Sequence, residues 1–204
     1  MPLSSGTRVT AGERLGTTGS VYAIDLGVAN YGLTLAGLLN PNHYNDDTLH
    51  TDAPLKYFEE PLRSQLYARV QRNGSDLDGK IDFDVAGRLS GNWYEDATSF
   101  PIAFVYDTYD PSQVRISIAT FVSGLFFSGV FAIAPGDPLP RDVSVASGVV
   151  RYSLFTSRTG PPIAGPLAGN MLVQMLDGGH LHLEIFPTPA PATGFTGGAK
   201  RFSR

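Results

Sequence analysis

His180-Leu-His-Leu-Glu-Ile185 alternates polar and apolar residues without a break. Side chains of an extended chain point to opposite faces in turn, so Leu181, Leu183 and Ile185 share one face and His180, His182 and Glu184 the other. The same period of two recurs in Val114-Arg-Ile-Ser-Ile118 and in Lys80-Ile-Asp-Phe-Asp-Val85. Further strand-like runs occupy 102–106, 127–134, 149–155 and 171–176. Turn signals separate them: Asp110-Pro111, Pro135-Gly136-Asp137, Gly160-Pro161-Pro162 and Asp177-Gly178-Gly179. About seven or eight short strands with one apolar face predict a mainly β protein, with an antiparallel barrel over residues 79–187.

Working outward, residues 55–78 read as one helix and a turn. Phe58, Leu62, Leu66 and Val70 recur at spacing four between Tyr57 and Arg72, and Pro61 is acceptable in a first turn. Residues 1–54 read as a β-hairpin and loop region, with Ala11-Gly12 as the hairpin turn. The tail 188–204, rich in Pro, Thr, Ala and Gly, holds little apolar material and is expected to be mobile.

Composition narrows the function. The 204-residue chain is 42% hydrophobic and 17% charged, enough apolar material for one good core. The net charge of −4, with no basic stripe, argues against nucleic acid, whose phosphates need clustered Lys and Arg. The absence of Cys removes disulfides, thiolate zinc sites and a cysteine nucleophile. Residues 116–135 form the longest apolar stretch, but Ser123, Gly124, Ser128 and Gly129 break it, so no membrane span is expected. Met1-Pro-Leu-Ser-Ser-Gly-Thr-Arg8 shows no basic stretch followed by an apolar one, and a cytoplasmic location is the default expectation.

Two segments carry resemblances. Gly6-Thr-Arg-Val-Thr-Ala-Gly-Glu-Arg-Leu-Gly-Thr-Thr-Gly19 resembles the Gly hairpin of lysostaphin-type zinc metallopeptidase domains, which an H-x-H zinc motif follows. Here Val21-Tyr-Ala-Ile-Asp25 stands in that place, so the resemblance implies a remnant without its metal site. Leu89-Ser-Gly-Asn-Trp-Tyr-Glu95 resembles the G-x-W of the first strand of lipocalin-like barrels, with Gly91 and Trp93 at the family positions. That resemblance covers residues 80–187 at the level of pattern. It implies that Trp93 closes the barrel floor.

Several groups could carry chemistry. His180, His182 and Glu184 on one strand face suit a divalent ion such as Zn²⁺, or catalysis; the simpler reading is an outer, solvated face. His43 and Asp47, in the polar loop with Asp46, His50 and Asp52, could pair for general base work. Asp76-Leu-Asp-Gly-Lys-Ile-Asp82 resembles the centre of an EF-hand-type calcium loop, with Asp76, Asp78 and Asp82 as ligands. Its first and twelfth positions fall on Gly74 and Val85, and Asp78-Gly79 is also a hairpin signal. There is no G-x-S-x-G or S-x-x-K motif.

Trp93, Phe104, Tyr106, Phe127 and Phe131 are the expected lining of an apolar ligand site, because core and cavity of a small barrel can be one surface. The first expectation is therefore a barrel that binds a small apolar molecule. A hydrolase with a His-containing, metal-dependent or metal-free site is the second. The third is a non-catalytic peptidase remnant that forms a homodimer through edge strands.

Overall fold

The structure is a computed structural model, and it describes residues 4, 6–14, 16–17, 25–119, 129–157, 165–187 and 192–204. The period-two segments form a closed antiparallel barrel of eight strands: β3 (Gly91–Glu95), β4 (Pro101–Tyr106), β5 (Val114–Ile118), β6 (Gly129–Ala132), β7 (Val149–Thr156), β8 (Leu167–Met175), β9 (His180–Phe186) and β10 (Lys200–Ser203). Seven run as a meander, and β10 closes the ring between β9 and β3. Before the barrel come β1 (Val28–Ala29), α1 (Asp46–Leu49), β2 (Thr51–Asp52) and α2 (Leu62–Tyr67), with β1 and β2 paired as a small ribbon.

Cross-strand register puts one set of side chains inside. Trp93, Ile102, Ile116, Phe131, Leu154, Met171, Leu183 and Phe202 all belong to the buried cluster. Each is an alternate residue of its strand, as the pleat requires. Burying such side chains is worth about 1.5–3 kcal/mol each, which makes this layer the main source of stability. Closure also removes every free edge from the main sheet, leaving the β1–β2 ribbon as the described sheet with open edges.

The tail is a correction to the sequence reading. Residues 200–203 are not mobile: Phe202 pairs with Leu181 and Glu95, and Ser203 with His180 and Tyr94. Backbone groups on β9 and β3 supply the bonds, and these need no apolar pattern in the strand that accepts them. The preceding turn packs on the outside of β9, where the Thr196 N–H donates to the Glu184 carboxylate at 2.7 Å. A Cβ at Gly198 would stand 2.8 Å from Glu184 Oε1, so a larger residue there would have to displace the Glu184 carboxylate that Thr196 holds.

Two other expectations change. The helix is shorter than 57–72: a 3-10 turn spans Pro54–Tyr57, and α2 covers Leu62–Tyr67 with no buried residue. Without a buried stripe the spacing-four pattern has nothing to propagate it. The 80–85 segment is not a strand, and its faces are reversed. Ile81 and Val85 are 47% and 44% exposed, whereas Asp84 is 8% exposed. The Asp84 carboxylate accepts the N–H of Leu39 at 2.9 Å and of Asn92 at 2.7 Å, and its own N–H donates to the Gly37 carbonyl. Gly91, at φ +111°, makes room: a Cβ there would lie 2.1 Å from Asp84 Oδ1. Charged hydrogen bonds to backbone outweigh the apolar alternation here.

At the start of the chain, Ala11 and Gly12 do form a turn, with Gly12 at φ +83° and the Glu13 N–H donating to Thr10. No strand is paired among the described residues of 4–17. Among the described residues, no helix is long and apolar enough to cross a membrane.

Candidate functional site

The barrel has two unlike ends. At the Gly91 end, Trp93 is wholly buried and donates from Nε1 to the Leu89 carbonyl at 2.8 Å. The Arg204 guanidinium lies 4.0 Å above the indole. It donates to the carbonyls of Ser90 and Val85, each at 2.8 Å, and to that of Arg88. Burial lowers the Arg204 pKa, while the nearby Asp84 carboxylate works in the opposite direction. Leu89 and Val143 complete this closed end, joined by the Leu89 N–H to the Val143 carbonyl.

At the Glu95 end, Glu95 points inward and is buried, accepting from Thr98 Oγ1 at 2.7 Å with Lys200 Nζ 3.9 Å away. Between the two ends the described interior residues are apolar apart from Tyr152. That residue is wholly buried, and its hydroxyl has no hydrogen-bond partner among the described residues. Burial pushes its pKa up, with the Asp137 and Asp142 carboxylates adding to the effect, so it is a neutral O–H donor.

Of the predicted lining residues, Trp93, Phe104 and Phe131 lie in this packed interior, with the Phe104 and Tyr152 rings 6.2 Å apart. Tyr106 stands half-buried at the closed end between Phe83 and Arg141, and Phe127 lies outside the described residues. Arg115, expected on a polar outer face, is buried there instead and bound to Asp107 at 2.9 Å.

The candidate catalytic residues are separated. His180, His182 and Glu184 do share the outer face of β9, but each has a different partner. Glu184 is buried and held by Thr196, His182 meets the edge of Phe195, and His180 Nδ1 contacts Asp177 Oδ2 at 2.9 Å. The Gly179 N–H and then the His180 ring hold the Asp177 carboxyl below its usual pKa. His43 and Asp47 do not pair either. The His43 ring stacks on Tyr94 at 3.9 Å, while Asp47 accepts from the Tyr31 hydroxyl.

Asp76, Asp78 and Asp82 all line one cleft of about 500 Å³, together with Asp52, Lys56 and Lys80, without converging on a common point. Their carboxylates are taken by cations, a hydroxyl and an N–H group: Asp76 by Arg72, Asp78 by the Tyr67 O–H and Lys56, and Asp82 by Lys80 and the Gly37 N–H. Among the described residues, no three His, Asp or Glu side chains converge to hold a metal ion.

Sequence reasoning missed Tyr152, Arg204 and Asp177 as site residues. Tyr152 was one inward residue of an ordinary strand, Arg204 sat in a tail without pattern, and Asp177-Gly178-Gly179 read only as a turn. A scan of family models, a search of curated proteins and a search of solved structures found no match to the chain. The protein is a closed eight-stranded antiparallel barrel with one sealed end.

Proposed function

We propose that the protein is a small-molecule-binding barrel of the lipocalin-like kind, whose ligand is apolar and carries one hydrogen-bond acceptor. The observation that carries this reading is the Tyr152 hydroxyl, inside an apolar barrel and without a hydrogen-bond partner among the described residues. A buried donor left unpaired costs about 1–3 kcal/mol, and a ligand oxygen beside it would recover that loss. Ligand sites in proteins commonly combine an apolar lining with a few placed polar groups that set orientation. Met171 and Met175, both facing the interior, are unbranched thioethers that can swing aside to admit a ligand. The Trp93–Arg204 seal directs access to the Glu95 end.

The test is titration of the full chain with cis-parinaric acid, an eighteen-carbon polyene acid, read by energy transfer from Trp93, the only tryptophan. Saturable one-to-one binding is expected. Tyr152→Phe should weaken it about five- to tenfold, the worth of one hydrogen bond of about 1–1.5 kcal/mol, while leaving the unliganded protein as stable or more so. A folded protein that shows no saturable transfer would overturn the reading.

A further inference from the structure

Outside the barrel, at the Gly91 end, three residues adjoin on neighbouring elements: Ser203 on β10, His180 on β9 and Asp177 in the turn before it. His180 and Ser203 are direct cross-strand partners on β9 and β10. The neighbouring bond runs from the Arg204 N–H to the Gly179 carbonyl at 3.1 Å. That bond makes His180 and Ser203 a non-hydrogen-bonded pair, whose Cα atoms lie about 4.5 Å apart with side chains close together. Because Leu181 and Phe202 face the core, His180 and Ser203 both face outward. The Asp177 carboxylate holds His180 Nδ1 at 2.9 and 3.0 Å through its two oxygens, which leaves Nε2 as the free acceptor of the ring. The His180 side chain is 38% exposed, so solvent and substrate can reach it. On the other side of Ser203, its β3 partner Tyr94 stacks on His43 and forms a wall.

We propose that Ser203, His180 and Asp177 form a hydrolytic triad that cleaves small carboxylic esters, an activity separate from ligand binding inside the barrel. Ser203 Oγ attacks the ester carbonyl carbon as its proton passes to His180 Nε2. The C–O bond to the alkoxide then breaks, and the alkoxide leaves as the alcohol with that proton. In the second half a water attacks the acyl-Ser203 carbonyl and gives its proton to His180 Nε2. The carboxylic acid departs, and the proton returns to Ser203 Oγ. Asp177 exchanges no proton; it is a positioning residue that fixes the ring tautomer and balances the imidazolium charge.

The test treats the full chain with a fluorophosphonate probe, locates the adduct by peptide mass spectrometry, and measures p-nitrophenyl acetate hydrolysis. The adduct is expected on Ser203. Ser203→Ala and His180→Gln should each lower kcat/KM at least about 100-fold, the usual scale for losing a nucleophile or its base. Asp177→Asn should lower kcat at least about tenfold with KM unchanged, and Asp177→Glu should restore part of it. Near-UV circular dichroism of Trp93 confirms that each variant keeps its barrel. Labelling of the unmodified chain needs no variant, so a misfolded mutant cannot hide the answer. Absence of an adduct on Ser203 overturns the proposal. So does a Ser203→Ala protein that hydrolyses at the parent rate, whether or not His180→Gln does.

Discussion

Arg204 engages four residues at the sealed end: Trp93, Ser90, Val85 and Arg88. Its planar guanidinium covers the Trp93 indole and binds the carbonyls of Ser90, Val85 and Arg88, all on the segment that leads into β3. Removing it leaves those carbonyls without their cation and uncovers the indole. Arg204→Ala should lower unfolding stability by about 3 kcal/mol, from a desolvated cation–π contact and hydrogen bonds to a charged donor. Arg204→Lys should recover little, because one ammonium cannot copy the fork. Urea unfolding followed by Trp93 emission measures both, and a loss under about 1 kcal/mol would contradict this account. Nothing local in Gly-Gly-Ala-Lys-Arg-Phe-Ser-Arg204 announces this role. It depends on a partner over one hundred positions away, as the separation of Arg204 and Ser90 shows.

At the scale of elements, the turn after β2 shows how short pieces outside the barrel hold their shape. The Asp52 carboxylate receives Lys56 Nζ at 2.9 Å, the Ala53 N–H at 2.7 Å and the Tyr57 hydroxyl at 2.9 Å. These bonds, that from Lys56 foremost, lower its pKa from 3.8 to about 2. A carboxyl held lower in the folded chain than in the unfolded one stabilises the fold above its unfolded value, and loses that effect as pH falls through its folded value. The 3-10 turn Pro54–Tyr57 should therefore stay intact at pH 5 and loosen between about pH 4 and pH 2. Carbon-detected titration of Asp52, with the Ala53 amide followed in parallel, reads the midpoint. A midpoint near pH 4 would mean that these bonds do not form in solution. The helical spacing seen at 58–70 gave the right location for a helix but overstated its length. Periodicity records which residues share a side, whereas length depends on whether that side is buried.

For the whole molecule, closure of the barrel rests on β10. It meets β9 through four residue pairs and β3 through only two. Deleting residues 200–204 should open the ring, expose the edges of β9 and β3, and remove Phe202 from the core. The expected product is a compact but loosely packed chain with weakened near-UV circular dichroism and strong binding of the dye ANS. A deletion variant with parent-like spectra and a cooperative melt would show that the seven-stranded meander closes without it.

The sequence by itself determined most of the strands and which face of each is inside, because alternation of apolar residues directly encodes burial on a pleated sheet. Leu181, Leu183 and Ile185 face the core as their spacing requires, and so do Val114, Ile116 and Ile118. Only the tertiary structure decided which strand closes the ring, why Asp84 is buried in place of Ile81 and Val85, and that Ser203 stands beside His180. These features depend on backbone bonds and charged contacts between segments far apart in the chain. A hydrogen-bonding edge accepts almost any residue, so such contacts leave no pattern in the local sequence.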